Sequence, residues 1–394
     1  MIRRSLVSAT LAVASLGATA TACSDQAVQV YPPGSDPVAA TTSTLPPGSA
    51  ILSGQPMPTV RCQLNRAAGP IVFLTNHSFA ASAGIIEVIM AKSMGLYDQL
   101  CLDVSIQPSF AIDNYAKIAA DKAQFAAAGS FSEIVDFAGR NDAKYVALTV
   151  DGRVPLDQLM VRPGVLSGNR LSDLEGRSIG VHGAINPAVA AMLDQVGLTA
   201  QEYKTVVLDT FDPVRNFQRT DIVGLSGAKS DAAMLLEDAG ITYQTFDPAT
   251  YGVAGSFGVI FTSATFIQRA PTAVEDFIRA TIRGLNIAME RPDEAADETW
   301  KLLAANGNDL KTTQAVERRR WQIESELIRH ASTSEEPLGV PLIARLTQAV
   351  ATYASIGLFG GIVPDIDSMV AVSLVKDVYG PDGLVIWPSS TGAS

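Results

Sequence analysis

Apolar and polar positions along the chain alternate between two periods. The run 71–75 is apolar and breaks at Asn76-His77-Ser78, after which Ile85, Ile86, Ile89 and Met90 recur at helical spacing up to a stop at Gly95. That pattern predicts strand, loop, helix. The rhythm continues with strands at 102–106, 124–127, 145–150 and 159–162 and helices at 113–120 and 130–139. It restarts after 171–177 with a strand at 178–181, a loop at 182–186, and a helix at 187–196 opened by Pro187 and closed by Gly197. Strands at 205–208, 222–225 and 243–246 then alternate with helices at 214–218 and 231–238. The strand 259–262 is expected to return to the first unit. The rest reads as packing helices at 272–290, 293–305, 312–328, 341–356 and 367–378, with Phe277, Ala280, Gly284 and Ile287 at helical spacing.

Strands separated by helices predict parallel sheets covered on both faces. The expected fold class is therefore α/β in two lobes, one over 61–164 and a second over 165–255, with 256–394 returning to the first lobe and adding a helical C-terminal region. Ahead of these lobes, Arg3 and Arg4 precede an apolar stretch, 6–18, too short to cross a bilayer, and small residues precede Cys23. Residues 1–22 thus read as a secretory signal. Ala20-Thr21-Ala22-Cys23 places the Cys23 thiol for lipidation, with ordinary cleavage nearby as the alternative. Arg3-Arg4 raises twin-arginine export as an alternative to the general route, although the flanking residues fit it poorly. Residues 23–60, rich in Pro, Gly, Ser, Thr and Ala, read as a disordered, lipid-attached tether. No later apolar run reaches transmembrane length, so the lipid is the expected membrane contact, on the outer face of the cytoplasmic membrane.

The net charge of −11 disfavours nucleic acid as a partner. With Cys23 assigned to lipid, Cys62 and Cys101 remain as an even pair in an oxidising compartment. A disulfide is the economical reading, and two buried thiols are the alternative.

Several strings, in order, resemble the solute-binding family that includes the binding proteins for thiamine pyrimidine precursors, alkanesulfonates, taurine and nitrate. They are Ala83-Gly84 ahead of Ala91-Lys92-Ser93-Met94-Gly95-Leu96-Tyr97, then Leu102-Asp103-Val104, then 174–181 (Leu-Glu-Gly-Arg-Ser-Ile-Gly-Val). Tyr251-Gly252-Val253 follows, and 266–271 leads into Phe277, Ala280, Gly284 and Ala288. The resemblance spans roughly 70–305. It implies a periplasmic-binding-protein clamshell of type II character that passes a small molecule to an ABC permease and ATPase, acting as a monomer. Members place a His shortly before the Ala-Gly pair; here Ser82 stands there and His77 lies five residues earlier. The fungal relatives that make the thiamine pyrimidine use clustered cysteines, which this chain lacks after Cys23.

No nucleophile elbow, phosphate loop or paired-cysteine zinc motif occurs, so no catalytic residue, cofactor or metal is expected and the chain is not read as an enzyme. An enzyme or a sensor on the same fold remains the alternative class. Ligands of open α/β sheets bind outside the carboxyl ends of the strands. The loops there supply the candidate ligand-binding residues Asn76, His77, Phe110, Ser130, Phe131, His182, Gly183, Asn186, Phe211, Asp212, Ser226 and Tyr251. Rings at strand ends, Phe79 and Phe257 among them, are candidates for stacking on a planar ligand, and Asp212 and Glu133 for accepting hydrogen bonds. Few arginines stand at these loops, which favours a nitrogen heterocycle such as a pyrimidine vitamin precursor over a sulfonate or nitrate.

Overall fold

The computed structural model of the chain describes residues 46–389, apart from 142, 169, 309–310 and 332–336. The signal, Cys23 and the N-terminal part of the tether lie outside the described residues. The chain runs through α1 (Thr59–Ala67), β1 (Ile71–Leu74), α2 (Ile86–Ser93), α3 (Leu96–Gln99), β2 (Val104–Gln107), α4 (Ala111–Ala119), β3 (Phe125–Ala128), α5 (Phe131–Asn141) and β4 (Tyr145–Gly152). A second set follows: β5 (Asp157–Val161), β6 (Ser178–Val181), α6 (Pro187–Asp194), β7 (Lys204–Val207), α7 (Pro213–Phe217), β8 (Gly224–Ala228), α8 (Met234–Asp238) and β9 (Gln244–Phe246). It returns through β10 (Phe257–Ser263), α9 (Ala264–Arg269), α10 (Pro271–Glu290), α11 (Pro292–Ala305), α12 (Gln314–Ala331), α13 (Ile343–Ser355) and α14 (Val372–Lys376).

Two five-stranded sheets result, ordered β2-β1-β3-β10-β4 and β7-β6-β8-β5-β9. Four expectations are corrected here. First, the sheets are mixed rather than parallel: β10 runs against β3 and β4, and β5 runs against β8 and β9. Second, β5, expected in the first lobe, belongs to the second sheet, because its apolar side chains Leu159 and Val161 complete that core. The chain therefore passes between the sheets over 153–156 and again over 247–256. Third, the expected tether ends early. Ser49 is buried, Ile51 joins the first core, and the Gly54 N–H donates to the Trp387 carbonyl at 2.9 Å. Fourth, the last expected helix, 367–378, is broken: Val370 is extended and bridges Ala147 at the edge of β4, leaving a 3-10 turn before it and only α14 after it.

Local chemistry sets the ends of elements near the cleft. Asn186 caps α6 by accepting the Ala188 N–H at 2.9 Å, and Pro187 takes the first helical position, where a missing N–H costs nothing. After the helix, Gly197 adopts φ +81 and Leu198 N–H returns to the Leu193 carbonyl.

The first core is aromatic. Phe277 of α10 stacks on Phe125 of β3 at 3.7 Å and on Tyr97 at 5.2 Å. Buried ions tie α1 to α10: Arg61 Nε and Nη2 bond both oxygens of Asp276, which also accepts from Asn65 and Arg279. With four hydrogen bonds converging on Asp276, this buried cluster is costly to break from one side. Cys62 and Cys101 form a disulfide with Cα atoms 5.2 Å apart, linking α1 to the turn before β2.

The C-terminal helices do not serve the first lobe alone. Along α13, Leu346 and Val350 pack into a first-lobe core, whereas Ala349 and Tyr353 pack into the second-lobe core. α12 likewise reaches the second lobe through Arg320 to Asp231 and Arg319 to Glu237.

Candidate functional site

A cavity of about 310 Å³ opens between the two sheets. From the first lobe it receives Asn76 and His77 after β1, Ser82 and Ala83 ahead of α2, and Gly129, Ser130 and Glu133 after β3. From the second it receives Asp157 at the start of β5 and Asn186 to Ala188 at the start of α6. The two passages between sheets add Pro155, Leu156, Gly255 and Ser256, β10 adds Phe257, and α13 adds Tyr353.

A close backbone approach shapes one wall. Gly84 and Gly258 both have positive φ, and a Cβ on Gly258 would lie 2.4 Å from the Ala83 methyl. Side chains at these positions would force the start of α2 away from β10.

The charges are acidic. Glu133 Oε2 accepts the Gly129 N–H at 2.9 Å and Oε1 accepts the Tyr115 hydroxyl at 3.2 Å. Burial pushes the Glu133 carboxyl above the usual carboxylate range against those donors. Burial also pushes Asp157 up to about 6, opposed by the nearby Lys229 ammonium. His77 is held neutral, its pKa lowered to about 4 by burial and then by the Arg320 charge. Its Nδ1 lies 2.8 Å from Asn76 Oδ1. No Lys or Arg stands among the lining residues.

The helix start that faces the cavity is already supplied with acceptors. The Ala81 N–H donates to Glu317 and the Ala83 N–H to Glu324, each at 2.7 Å, and the Gly84 N–H donates to Asp151 at 3.1 Å. Burial raises Asp151 to about 7.

Of the twelve candidate positions, the cavity brings together Asn76, His77, Ser130 and Asn186. The other eight lie elsewhere. Phe131 is a core residue of the first lobe, because α5 starts on it and turns its ring inward. Ser226 is buried within β8, Tyr251 packs on the second-lobe core, and Phe110 is 62% exposed just ahead of α4. Phe211 is 86% exposed and stacks on His182 at 4.6 Å between centroids, so this pair and Gly183 stand outside the cavity. Asp212 is spent capping α7, accepting the Arg215 N–H at 3.1 Å.

Glu133 and Phe257, singled out in the sequence for hydrogen bonding and stacking, do line the cavity, whereas Phe79 is core. Asp157, Ser256 and Tyr353 were not legible as site residues. A carboxylate at the first position of a strand, two residues after Pro155, was the available signal for Asp157. Among the described residues no group of three or more His, Cys, Asp or Glu side chains is placed to hold a metal ion, and no helix is long and apolar enough to cross a membrane.

Solved structures share the fold at low identity. The periplasmic sulfonate-binding protein of a putative sulfonate ABC transporter from Methylobacillus flagellatus is 16% identical, with 77% of this chain and 92% of that one covered and a TM-score of 0.54. The alkanesulfonate-binding protein of Xanthomonas axonopodis, bound to MOPS, is 12% identical over 77% and 96% of the two chains, with a TM-score of 0.52. A Candida albicans protein described as having the generic periplasmic binding protein fold is 14% identical over 76% and 95%, with a TM-score of 0.52. No curated protein matches the sequence. Residues 82–295, from the cavity-lining Ser82 into the first turn of α11, match the model of the NMT1/THI5-like family, and the chain belongs to that family.

Proposed function

We propose that this chain is an extracytoplasmic solute-binding protein of the ABC-importer kind, lipid-anchored through Cys23, which captures a small nitrogen heterocycle carrying hydrogen-bond donors or positive charge. One observation carries the reading: among the described residues, the cavity between the lobes is lined by the carboxyl groups of Glu133 and Asp157 and by no Lys or Arg, and burial keeps the His77 imidazole neutral. A solute with amino or protonated ring nitrogens matches these acceptors, whereas an anion meets like charge. Asn76, Ser130 and Asn186 supply neutral polar groups for orientation, and Phe257 supplies the aromatic face.

The domain limits follow the two passages between sheets, and the importer's permease and ATPase are the partners. The chain is read as a carrier rather than an enzyme because the cavity groups form no nucleophile-and-base pair.

Sulfonate capture, the activity named for the Methylobacillus and Xanthomonas proteins, is the reading to test against. Thermal-shift measurements on the purified protein with aminopyrimidines, thiamine, methanesulfonate, taurine and nitrate at matched ionic strength separate the two. A rise in midpoint confined to the amine-bearing heterocycles is expected. A rise confined to the sulfonates or nitrate would overturn the proposal.

A further inference from the structure

α12 lies beyond the family-matched segment, yet it places a carboxylate at the edge of the cavity. Glu324, 1% exposed, accepts the Ala83 N–H at 2.7 Å and the Ser82 hydroxyl at 3.1 Å from the first lobe, and the Ser230 hydroxyl at 2.6 Å from the second. The Ala83 N–H can only donate and both serine hydroxyls are able to donate, a set that suits a carboxylate, and these donors together with the Arg320 charge oppose the burial that raises the Glu324 pKa. One turn earlier on the helix, Arg320 pairs with Asp231 of the second lobe at 3.1 Å and, within α12, with Glu317 at 3.6 Å.

The N–H groups ahead of a helix have no partner within it and attract negative charge. In this chain those of Ala81, Ala83 and Gly84 each end on a carboxylate of the chain itself. Ser82 and Ala83 also line the cavity, so Glu324 sits directly behind the wall that a solute touches.

We infer that Glu324 is the specificity-determining residue of the site. Its carboxylate takes the donors at the start of α2 that an anionic solute would need, and reserves the cleft for solutes that bring donors of their own. The inference deepens the proposed function and rests on it. An anion entering the cleft must displace a buried, three-donor acceptor or sit beside it as a like charge, and both cost affinity. Because one carboxylate holds Ser82 and Ser230 together, the same group also joins the two lobes beside the solute.

The test uses the full chain purified in detergent, with the 4-aminopyridinium cation and methanesulfonate as probes at matched ionic strength, read by titration calorimetry. Glu324→Gln keeps the side-chain volume and removes the charge; Glu324→Ala leaves a space of carboxylate size. The ratio of cation to anion affinity is expected to fall by about tenfold or more in both variants. In Glu324→Ala, formate should raise the thermal midpoint above that in equal chloride, because it replaces the deleted carboxylate. If that variant does not fold alone, formate during refolding is the same measurement.

A ratio unchanged within about twofold in Glu324→Gln, or no response of Glu324→Ala to formate, overturns the inference. The formate arm needs no solute in the cleft and decides the matter where neither probe binds. A wild-type protein that prefers methanesulfonate instead overturns the proposed function itself, whatever the variants do.

Discussion

Asn186 and Asp157 are held together at the cavity wall: Asn186 Nδ2 donates to Asp157 Oδ2 at 2.9 Å while its Oδ1 accepts the Ala188 N–H at 2.9 Å. One amide therefore caps α6 and orients an acid of the site, and the two contacts together fix which way the amide points.

Asp157→Asn should weaken binding of a cationic solute by about tenfold or more, with little effect on a neutral one. The pH dependence has a defined sign. An acid whose folded pKa is raised to about 6, above its ordinary value, contributes stability present at low pH that is lost as pH rises through about 6. A bound cation favours the ionised form, so its affinity should increase between about pH 5 and 7 in the wild type and rise less across that range in Asp157→Asn, where the raised Glu133 carboxyl alone remains. Calorimetric titration at several pH values checks both, and a flat wild-type profile would count against the role given to Asp157.

Gly284→Ala should destabilise the protein by about 1–3 kcal/mol. A methyl there would lie 2.2 Å from the Glu87 carbonyl oxygen, where α10 crosses α2. The gain in helix propensity, about 1 kcal/mol, is outweighed because the obstructing atom is backbone and cannot rotate away. Urea denaturation of the variant measures the balance.

Removing the disulfide by Cys62→Ala with Cys101→Ala should cost about 4 kcal/mol in the chain-entropy model, for a sequence separation of 39. Equilibrium unfolding with and without reductant is the measurement. A wild type indifferent to reductant would show that the buried cluster of Arg61 and Asp276 holds α1 by itself.

Cys23→Ala should move the protein from the membrane fraction to the soluble fraction, or leave it unprocessed. Fractionation and intact mass of the mature chain report this directly. An unchanged mature mass and membrane fraction would remove the lipid from the account.

The alternating pattern made the order of strands and helices legible, and it placed Asn76, His77, Ser130 and Asn186 in loops that do meet. It could not show which strands reverse. A parallel strand delivers its last residue to the binding edge, whereas an antiparallel one delivers its first, so Asp157 opposite Ala228 and Phe257 opposite Gly152 reach that edge from strand beginnings. Searching strand ends alone therefore passed over Asp157 and selected Ser226, which the pairing with β5 buries. Phe131 and Tyr251 were misplaced for a different reason: a ring beside a loop is drawn into the nearest core unless the loop holds it out. Glu317 and Glu324 carried no local signal, since a mid-helix Glu reads as solvated until the partner helix is known.

The late arrival of β10 bears on the order in which the chain matures. It lies between β3 and β4, so the first-made sheet lacks an inner strand until the polymer has extended past Ser263. The second sheet is closed by segments lying wholly between Asp157 and Phe246. A chain emerging from its N-terminus can thus complete the second sheet while the first waits, its β4 edge unpaired and exposed to other chains. In any chain that emerges from its N-terminus, the sheet that emerges first is therefore the sheet that finishes last.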